Sequence, residues 1–365
     1  MRILVVNTGS SSVKVRVLED DDGLSLSSDL PGPADALGPE DFAGVLAQAG
    51  PIDAVGHRVV HGGTRYDRAV LVDDAVMASL RSLEDLAPLH QRASLDTLET
   101  VRRLAPELPA VACFDTAFHA GMPPAASTYA LPRRWQLRHP LRRYGFHGLS
   151  HAYASRRAAE ILGLALARLR IVVCHLGAGA SLAAVDGGRS VDTTMGFTPL
   201  EGLVMATRSG SVDPGLVLWL AQHGVTTEEL VEGLEHGAGL LGLCGTGDMR
   251  TVLARAAGGD PDARLALDVY DHRLRGAVAA MAAAMGGIDG LVFTGGVGEH
   301  AAEVRRRAGE GLGFLGVRVD AEANEAAGPD AVVSPPGAAV PVVVVAARED
   351  VEIARGVRRL LGHGP

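Results

Sequence analysis

The sequence predicts an α/β protein built from two domains, and three observations lead to this fold class. The chain has 365 residues, whereas a single hydrophobic core stops growing at about 250–300 residues. Residues 3–17 and 171–185 share one pattern, in which an apolar strand, a turn of small residues and an alternating strand follow one another. Short apolar runs that end at glycine or polar residues then alternate with segments of helical periodicity.

The repeated pattern predicts a β-hairpin at the start of each half of the chain. The turn consists of Gly-Ser-Ser-Ser at residues 9–12 in the first copy and of Gly-Ala-Gly at residues 177–179 in the second. Small residues allow backbone N–H groups to approach an anion closely, as they do in phosphate-binding loops. Two such hairpins could hold a polyphosphate, but two ordinary hairpins of an α/β protein would give the same pattern.

The remaining elements follow from periodicity and from the residues that end each run. Strands are predicted at residues 111–114, 291–294 and 342–345, and helices at residues 228–236, 262–285 and 301–309. Residues 19–50 are rich in Asp, Gly, Pro and Ser, so we expect an exposed connection there.

Composition and charge exclude several classes of partner. The net charge of −9 and the lack of a Lys/Arg-rich patch argue against nucleic acid or an anionic membrane as partner.

The sequence also predicts where the protein is located. The apolar run at residues 3–6 is too short for a signal peptide, and no run reaches the roughly 18 residues of a membrane span. The three cysteines are isolated, so we expect reduced thiols in a cytoplasmic protein.

Two familiar motifs are set aside because their context is wrong. Residues 311–316 match G-x-G-x-x-G, but a helix-like stretch precedes them and an alternating segment follows, whereas a nicotinamide site needs a strand before and a helix after. The histidine pairs at 57/61 and 147/151 have the spacing of a zinc site on a helix, but neither contains the HExxH glutamate, and glycines interrupt both segments.

Seven polar segments place Arg, His, Asp and Thr beside glycine, as a phosphate-handling cleft requires. They are residues 56–63, 87–90, 114–119, 143–151, 192–202, 207–214 and 293–299. In this order they resemble the acetate kinase family, and the resemblance extends from residue 1 to about residue 355. It implies two duplicated actin/hexokinase-like, ribonuclease H-like domains with a cleft between them. The expected domains are residues 1–117 plus 350–365, and residues 118–349, which carry most of the nucleotide site.

The resemblance also implies an activity: reversible in-line transfer of the ATP γ-phosphoryl group to acetate, giving acetyl phosphate and ADP. By resemblance, Arg58 and Arg208 hold the carboxylate and the moving phosphoryl group, and His147 stabilises the transition state together with Arg208. Asp115 and Glu349 position Mg²⁺ or Mn²⁺, and Asn7 lies near the phosphates and the metal. Because acetate is already ionised at neutral pH, Asp115 is expected to position metal rather than to abstract a proton. The family also implies a homodimer.

The family's binding residues transfer to this chain one by one. With Arg58, the acetate pocket is formed by Val60, Leu89, Phe146 and Pro199. The residues that match the nucleotide site are Ser12, Lys14, His175, Gly177, Ala178, Gly179, Asp248, Met249, Arg250, Gly296, Val297, Gly298, Glu299 and His300. His90, like His175, matches a histidine of the same site.

The chain departs from the family's usual residues at several of these positions. Ala178, His300 and Arg348 stand where asparagine is usual, and Gln91 replaces the asparagine that follows His90. All but Gln91 fall in the nucleotide half, so they bear on nucleotide preference more than on phosphoryl transfer. Two alternatives remain open: a propionate- or butyrate-type acyl kinase, and a non-catalytic nucleotide-binding regulator on the same scaffold.

Overall fold

The computed structural model describes residues 1–9, 12–32, 36–86 and 88–362, without the side chains of residues 88–90. The chain divides into two compact units. The first unit comprises Met1–Gly121, Phe146–Tyr153 and Arg348–Pro365, and the second comprises Met122–Gly145 and Ala154–Ala347. Residues 118–121, 146–153 and 348–349, which the predicted boundaries gave to the C-terminal domain, are grouped with the first unit.

Twelve strands are formed within the described residues. They are β1 (Ile3–Thr8), β2 (Ser12–Leu18), β3 (Leu24–Pro31), β4 (Ala54–Val59), β5 (Val70–Leu71), β6 (Ala110–Phe114), β7 (Arg170–Leu176), β8 (Ala180–Asp186), β9 (Arg189–Thr193), β10 (Gly290–Thr294), β11 (Ala331–Val332) and β12 (Val342–Val344). The strands predicted at residues 111–114, 291–294 and 342–345 are confirmed as β6, β10 and β12.

Fifteen α-helices are formed within the same residues. They are α1 (Pro39–Ala49), α2 (Asp74–Arg81), α3 (Pro88–Leu104), α4 (Pro124–Ser127), α5 (Arg133–Gln136), α6 (Gly148–Leu162), α7 (Pro214–Gln222), α8 (Thr227–Glu235), α9 (Gly239–Cys244), α10 (Met249–Ala257), α11 (Pro261–Ala284), α12 (Gly295–His300), α13 (Ala302–Glu310), α14 (Ala321–Glu325) and α15 (Glu349–Leu360). The three predicted helices are confirmed as α8, α11 and α13, each displaced by about one residue.

The two sheets have the same topology. In the first unit the strand order is β3-β2-β1-β4-β6-β5, and in the second it is β11-β12-β10-β7-β8-β9. Each sheet contains an antiparallel meander of three strands (β1–β3 or β7–β9), and the first strand of the meander pairs in parallel with β4 or β10. The hairpin predicted from the internal repeat is therefore confirmed in both halves, and the repeat reflects a duplicated domain.

The core of the first unit follows from the two-residue period of β1. Ile3 and Val5 face one side of the sheet and pack against α15 through Ile353 and its neighbours. Leu4 and Val6 face the other side and pack with Phe42 and other residues of α1. Because both faces are covered, β1 is a continuous apolar run rather than an alternating one. In the second unit, α11 packs on β7 and β8.

The expectation of an exposed connection at residues 19–50 is wrong for much of that segment. Residues 24–31 form β3, which pairs with β2, and residues 39–49 form α1. The helix begins with a proline in its first turn, Asp41 accepts a hydrogen bond from the Gly38 N–H at 2.9 Å, and Phe42 and Val45 are buried. The turn-forming composition concealed an apolar spacing of three to four residues that buries one face of α1.

Candidate active site

In the first unit, polar side chains converge where three neighbouring parallel strands end. Asn7 lies in β1, Arg58 in β4, and Asp115 directly follows β6. Val6 is opposite His57 and Val59 is opposite Phe114, so these residues reach the same edge of the sheet. The carboxyl ends of parallel strands are the usual position of ligand sites in α/β proteins. Sequence spacing alone does not bring these side chains together; the parallel register does.

Arg58 is the centre of this group. Its Nε lies 3.0 Å from Asp115 Oδ1, and its Nη2 lies 2.6 Å from Asp115 Oδ2, which makes a two-point ion pair. Its Nη1 donates to Asn7 Oδ1 and to the Thr8 carbonyl, both at 3.3 Å. Because the guanidinium is planar and always charged, this arrangement fixes its direction as well as its position.

Glu349 joins the group through Asn7. The amide Nδ2 of Asn7 donates to Glu349 Oε2 at 2.7 Å. With one arginine and two carboxylates, the group has a formal charge of −1. Lys14, which is exposed, lies opposite Asn7 in the β1–β2 register, and Ser12 begins β2. Ser11 and Ser10 of this turn lie outside the described residues.

Burial and charge act in opposite directions on the ion pair. Asp115 is only 1% exposed. Burial raises the pKa of Asp115, the Arg58 guanidinium opposes that shift, and Glu349 adds to it. Burial alone would lower the pKa of Arg58, but the charges of Asp115 and Glu349 outweigh burial and raise it. Because burial disfavours the ionised form of Asp115, a further cation nearby would stabilise its negative charge.

His147 occupies a constrained turn beside Asp115. Its φ angle is +56°, in the left-handed region that non-glycine residues rarely adopt. Its backbone N–H interacts with the Asp115 carboxylate, and the Gly148 N–H donates to the Asp115 carbonyl at 2.9 Å. A Cβ at Gly148 would lie 2.1 Å from that carbonyl oxygen, so only glycine fits there. Such strain is typical of functional positions.

Two residues of the predicted acetate pocket, Val60 and Phe146, are buried in the first unit. The ring of His61 contacts the ring of Phe146 edge-on, at 5.6 Å between centroids. Gln91 is fully buried and holds the backbone of His61: its Oε1 accepts from the His61 N–H at 2.9 Å, and its Nε2 donates to the His61 carbonyl at 3.0 Å. Gln91 therefore supports the pocket segment that follows Val60.

The other predicted pocket residues lie at the start of α3 and in the second unit. Leu89 and His90 lie at the start of α3, and their side chains fall outside the described part of the chain. Pro199 belongs to the second unit. His119, to which sequence reasoning gave no role, is buried, and its Nε2 lies 3.1 Å from the Phe146 carbonyl, next to the His147 turn. Its place in the polar segment 114–119 was the only sequence signal.

In the second unit, Arg208 is half-buried in a loop. Its Nη1 donates to the Pro199 carbonyl at 2.8 Å. Among the described side chains, no carboxylate lies within salt-bridge distance of this guanidinium. Burial lowers the pKa of Arg208, and Glu235 opposes that shift from farther away. A half-buried cation without a bound carboxylate is suited to an anionic ligand.

The predicted phosphate loops lie at the ends of two neighbouring strands of the second unit. His175 in β7 is opposite Thr294 in β10. At the tip of the β7–β8 hairpin, the Gly177 N–H donates to the Gly179 carbonyl at 3.0 Å, and Ala178 is exposed. Gly296, Val297, Gly298 and His300 form α12, which follows β10 directly.

Glu299 and Asp248 have local structural roles in the same unit. Glu299 Oε1 accepts from the Gly295 N–H and from the Ala347 N–H, both at 3.0 Å, and so ties two segments together. Asp248 caps α10 by accepting from the Arg250 N–H, and its carboxylate also pairs with the exposed Arg250 side chain at 2.8 Å. Met249, between them, is buried. The sequence did not predict these local bonds.

Within the described residues, no three His, Cys, Asp or Glu side chains are grouped closely enough to hold a metal by themselves. In the same part of the chain, every helix is too short or too polar to cross a membrane.

Comparison with known proteins gives consistent results over nearly the whole chain. The sequence profile described as the Acetokinase family matches residues 40–355. A protein named acetate kinase from Leifsonia xyli subsp. xyli is 45% identical over 394 aligned residues, which cover 99% of this chain and 99% of the relative.

Solved structures are also similar to this chain over nearly its whole length. The crystal structure of Porphyromonas gingivalis acetate kinase has a TM-score of 0.89 and 36% identity, and the match covers 99% of both chains. A propionate kinase from Francisella tularensis subsp. tularensis SCHU S4 has the same TM-score and identity, with 97% of this chain and 98% of that chain covered. These similarities extend across both units, and the chain belongs to the acetokinase family.

Proposed function

We propose that this chain is an acetate kinase, which transfers the γ-phosphoryl group of ATP reversibly to acetate and forms acetyl phosphate and ADP. The observation that carries the proposal is the group formed by Arg58, Asp115, Asn7 and Glu349 at the ends of three adjacent parallel strands. It occurs in a chain that resembles proteins named acetate kinase over almost its entire length. The arrangement combines a guanidinium of fixed direction, which can bind a carboxylate or a phosphoryl group, with two carboxylates that can bind a metal.

Phosphoryl transfer needs positioning and positive charge more than acid–base chemistry. Acetate is already ionised at pH 7, since ordinary carboxyl pKa values are about 4. Asp115 is occupied by a two-point ion pair with Arg58, which makes it a poor proton acceptor. We therefore assign Asp115 the role of fixing Arg58 and positioning metal, while Arg58, Arg208 and His147 contact the carboxylate and the transferring group.

We also propose a Mg²⁺ requirement, with Mn²⁺ as a substitute. Asp115, Glu349 and the Asn7 carbonyl offer hard oxygen ligands of the type that Mg²⁺ prefers. Two carboxylates suffice, because Mg²⁺ usually retains water and takes phosphate oxygens as its other ligands. The negative charge of the group and the burial of Asp115 fit a bound dication. When bound, the metal would neutralise charge on the phosphate oxygens.

For the nucleotide we propose the β7–β8 tip (Gly177, Ala178 and Gly179) and the segment 295–300. Support comes from the short turn of small residues and from the exposure of Ala178 at its tip, which allow a phosphate to approach the backbone closely. Asp248 and Arg250 already pair with each other, so a nucleotide bound there would compete with this ion pair. ATP remains the proposed donor.

A substrate panel with purified protein tests the proposed function. Acyl phosphate formed from MgATP is trapped with hydroxylamine, and catalytic efficiency is compared for acetate, propionate and butyrate. We expect acetate to be the best substrate and propionate to be a poorer one, because each methylene changes binding by only about 1–3 kcal/mol. An Asp115→Asn preparation controls for contaminating kinases from the expression host.

The panel also separates the alternatives. A higher efficiency for propionate or butyrate than for acetate would identify the chain as an acyl kinase of that type. MgATP binding by calorimetry, without acyl hydroxamate from any of the three acids, would identify a nucleotide-binding regulator and overturn the proposed function. Replacing ATP with GTP and omitting the metal measure nucleotide preference and metal dependence in the same experiment.

We propose a homodimer on the basis of α7. This helix consists almost entirely of apolar residues, yet the chain buries none of them. Leu216, Leu218 and Trp219 are 48%, 64% and 52% exposed. Apolar faces of this kind on a folded protein usually mark an interaction surface. A second copy of the chain would cover it with an identical apolar face.

The variant Leu218→Glu is expected to shift the protein from dimer to monomer in sedimentation equilibrium, because it places a charge within the proposed interface. Phe314→Glu is the matched control, since Phe314 is also exposed, at 74%, but lies away from α7. A monomeric parent protein, or equal dissociation of both variants, would contradict the assignment.

We also propose a cytoplasmic location. All three cysteines are free and buried within the described part of the chain. Burial raises the pKa of Cys113 to about 12, so its thiol is unreactive. Free thiols are usual in reducing compartments.

A further inference from the structure

The direction of the Arg208 guanidinium depends on one backbone carbonyl. Arg208 Nη1 donates to the Pro199 carbonyl at 2.8 Å. Pro199 lies in a stretch without helix or strand, between β9 and α7, and proline has no N–H with which to anchor itself. The position of this carbonyl must therefore be fixed by residues on either side of Pro199.

Two side chains bracket Pro199. The hydroxyl of Tyr129 accepts a hydrogen bond from the Phe197 N–H at 2.9 Å and donates one to Glu201 Oε2 at 2.6 Å. One hydroxyl thus connects the residue two positions before Pro199 with the residue two positions after it. The turn closes tightly around this pair: a Cβ at Gly196 would lie 1.8 Å from Glu201 Oε2 and 2.3 Å from the Tyr129 hydroxyl.

Arg143 holds the same pair from a third direction. Its Nη2 donates to Glu201 Oε1 at 2.7 Å, and its guanidinium lies 5.6 Å from the centroid of the Tyr129 ring. Its Nη1 also donates to three successive carbonyls, those of Thr193, Thr194 and Met195, at 3.3, 3.0 and 3.0 Å. Arg143 therefore holds the loop at residues 193–201 at both ends through charge-assisted hydrogen bonds.

We propose that Tyr129, Arg143 and Glu201 form a positioning cluster that aims Arg208 at the transferring phosphoryl group by fixing the Pro199 carbonyl. This inference rests on the proposed function. None of the three side chains contacts substrate in this proposal, and each acts through the loop at residues 193–201. Because Pro199 is also a proposed wall of the acetate pocket, the cluster controls acetate binding as well as the rate of transfer.

Tyr129→Phe tests the proposal with the smallest change. It removes the hydroxyl that bridges Phe197 and Glu201 and keeps the ring beneath Arg143. We expect kcat to fall about tenfold and KM for acetate to rise, because a catalytic group displaced by a fraction of an ångström loses its alignment. KM for ATP is expected to stay unchanged. Loss of folded protein would lower kcat without changing either KM.

The matched control is Tyr144→Phe, which keeps the ring that lies 5.9 Å from the Phe197 ring and removes only a hydroxyl bonded to the Pro140 carbonyl at 2.8 Å. It is expected to leave kcat and KM for acetate near the parent values. Glu201→Gln retains an acceptor for Tyr129 and should lose less activity than Glu201→Ala. Thermal unfolding of each variant verifies that the folded state is retained.

A double-mutant cycle separates positioning from general stability. If Tyr129 acts through Arg208, Tyr129→Phe has no further effect on kcat in an Arg208→Ala background. The full tenfold loss in that background, or a Tyr129→Phe variant that behaves like Tyr144→Phe, would overturn the positioning role. A parent protein that phosphorylates no short-chain carboxylate would instead overturn the proposed function on which the cluster depends.

Discussion

Arg208→Ala is expected to lower kcat by about 10²–10³-fold, which corresponds to the loss of one preorganised charged donor in the transition state. Arg208 is half-buried, its guanidinium is held by the Pro199 carbonyl, and no described carboxylate pairs with it. Its charge is therefore free to act on a bound anion. The measurement is the steady-state rate of acyl hydroxamate formation at saturating acetate and MgATP.

Arg208 gives a cleaner test than Arg58. Replacing Arg58 would leave the buried Asp115 carboxylate without its partner, and breaking a buried ion pair in this way costs about 3–5 kcal/mol of stability. Arg208→Ala breaks no described ion pair, so the melting temperature should change little.

Two controls define the Arg208 result. Arg318→Ala removes an exposed arginine from the same unit and is expected to be neutral. Added guanidinium chloride should restore part of the activity of Arg208→Ala by supplying the missing cation. A kcat within a factor of about three of the parent value would show that Arg208 does not stabilise the transition state.

The second large effect concerns stability and pH. Burial lowers the pKa of His57 to about 3, and lowers the pKa of His61 and of His119 to about 4. In the unfolded chain these imidazoles titrate near their ordinary pKa of about 6.5. Between these values the unfolded state binds protons that the folded state excludes, so the free energy of unfolding falls as the pH drops below about 6.5.

The expected magnitude is substantial. At pH 5 each of the three histidines lowers the free energy of unfolding by about 2 kcal/mol relative to neutral pH, or about 6 kcal/mol together. Buried carboxyls act in the opposite direction: burial raises the pKa of Asp115, of Asp192 and of Asp271, so these groups favour the folded state as the pH falls. The contribution of one histidine is therefore measured by comparing the parent with a histidine variant. The quantity compared is the change in the free energy of unfolding between pH 7 and pH 5.

His57→Gln provides that difference. Urea unfolding at pH 7 and at pH 5 should show about 2 kcal/mol less acid destabilisation in the variant than in the parent. His139→Gln is the matched control, because this histidine is exposed. Identical pH dependence in the parent and in His57→Gln would contradict the assignment of His57 as a buried neutral imidazole.

Local sequence signals predicted most of the secondary structure because they depend on neighbours along the chain. The apolar runs at residues 111–114 and 291–294 end where polar or glycine residues begin, and both are strands. The small-residue hairpins at residues 3–17 and 171–185 recur in both sheets. The helix within residues 19–50 was not predicted, because the composition of this segment is typical of turns and its few apolar residues, which form the buried face of α1, did not stand out.

By itself, the sequence determined the α/β class, the duplication and, through seven ordered polar segments, the acetokinase family. Only the tertiary structure decided which polar groups meet. Arg58 and Asp115 are 57 residues apart, and Asn7 and Glu349 are 342 residues apart, yet each pair is hydrogen-bonded. Such pairs depend on strand order and register, which bring the ends of distant strands together and which no local pattern encodes. The same reason explains why the bonds that Tyr129 makes to Phe197 and Glu201 could not be predicted.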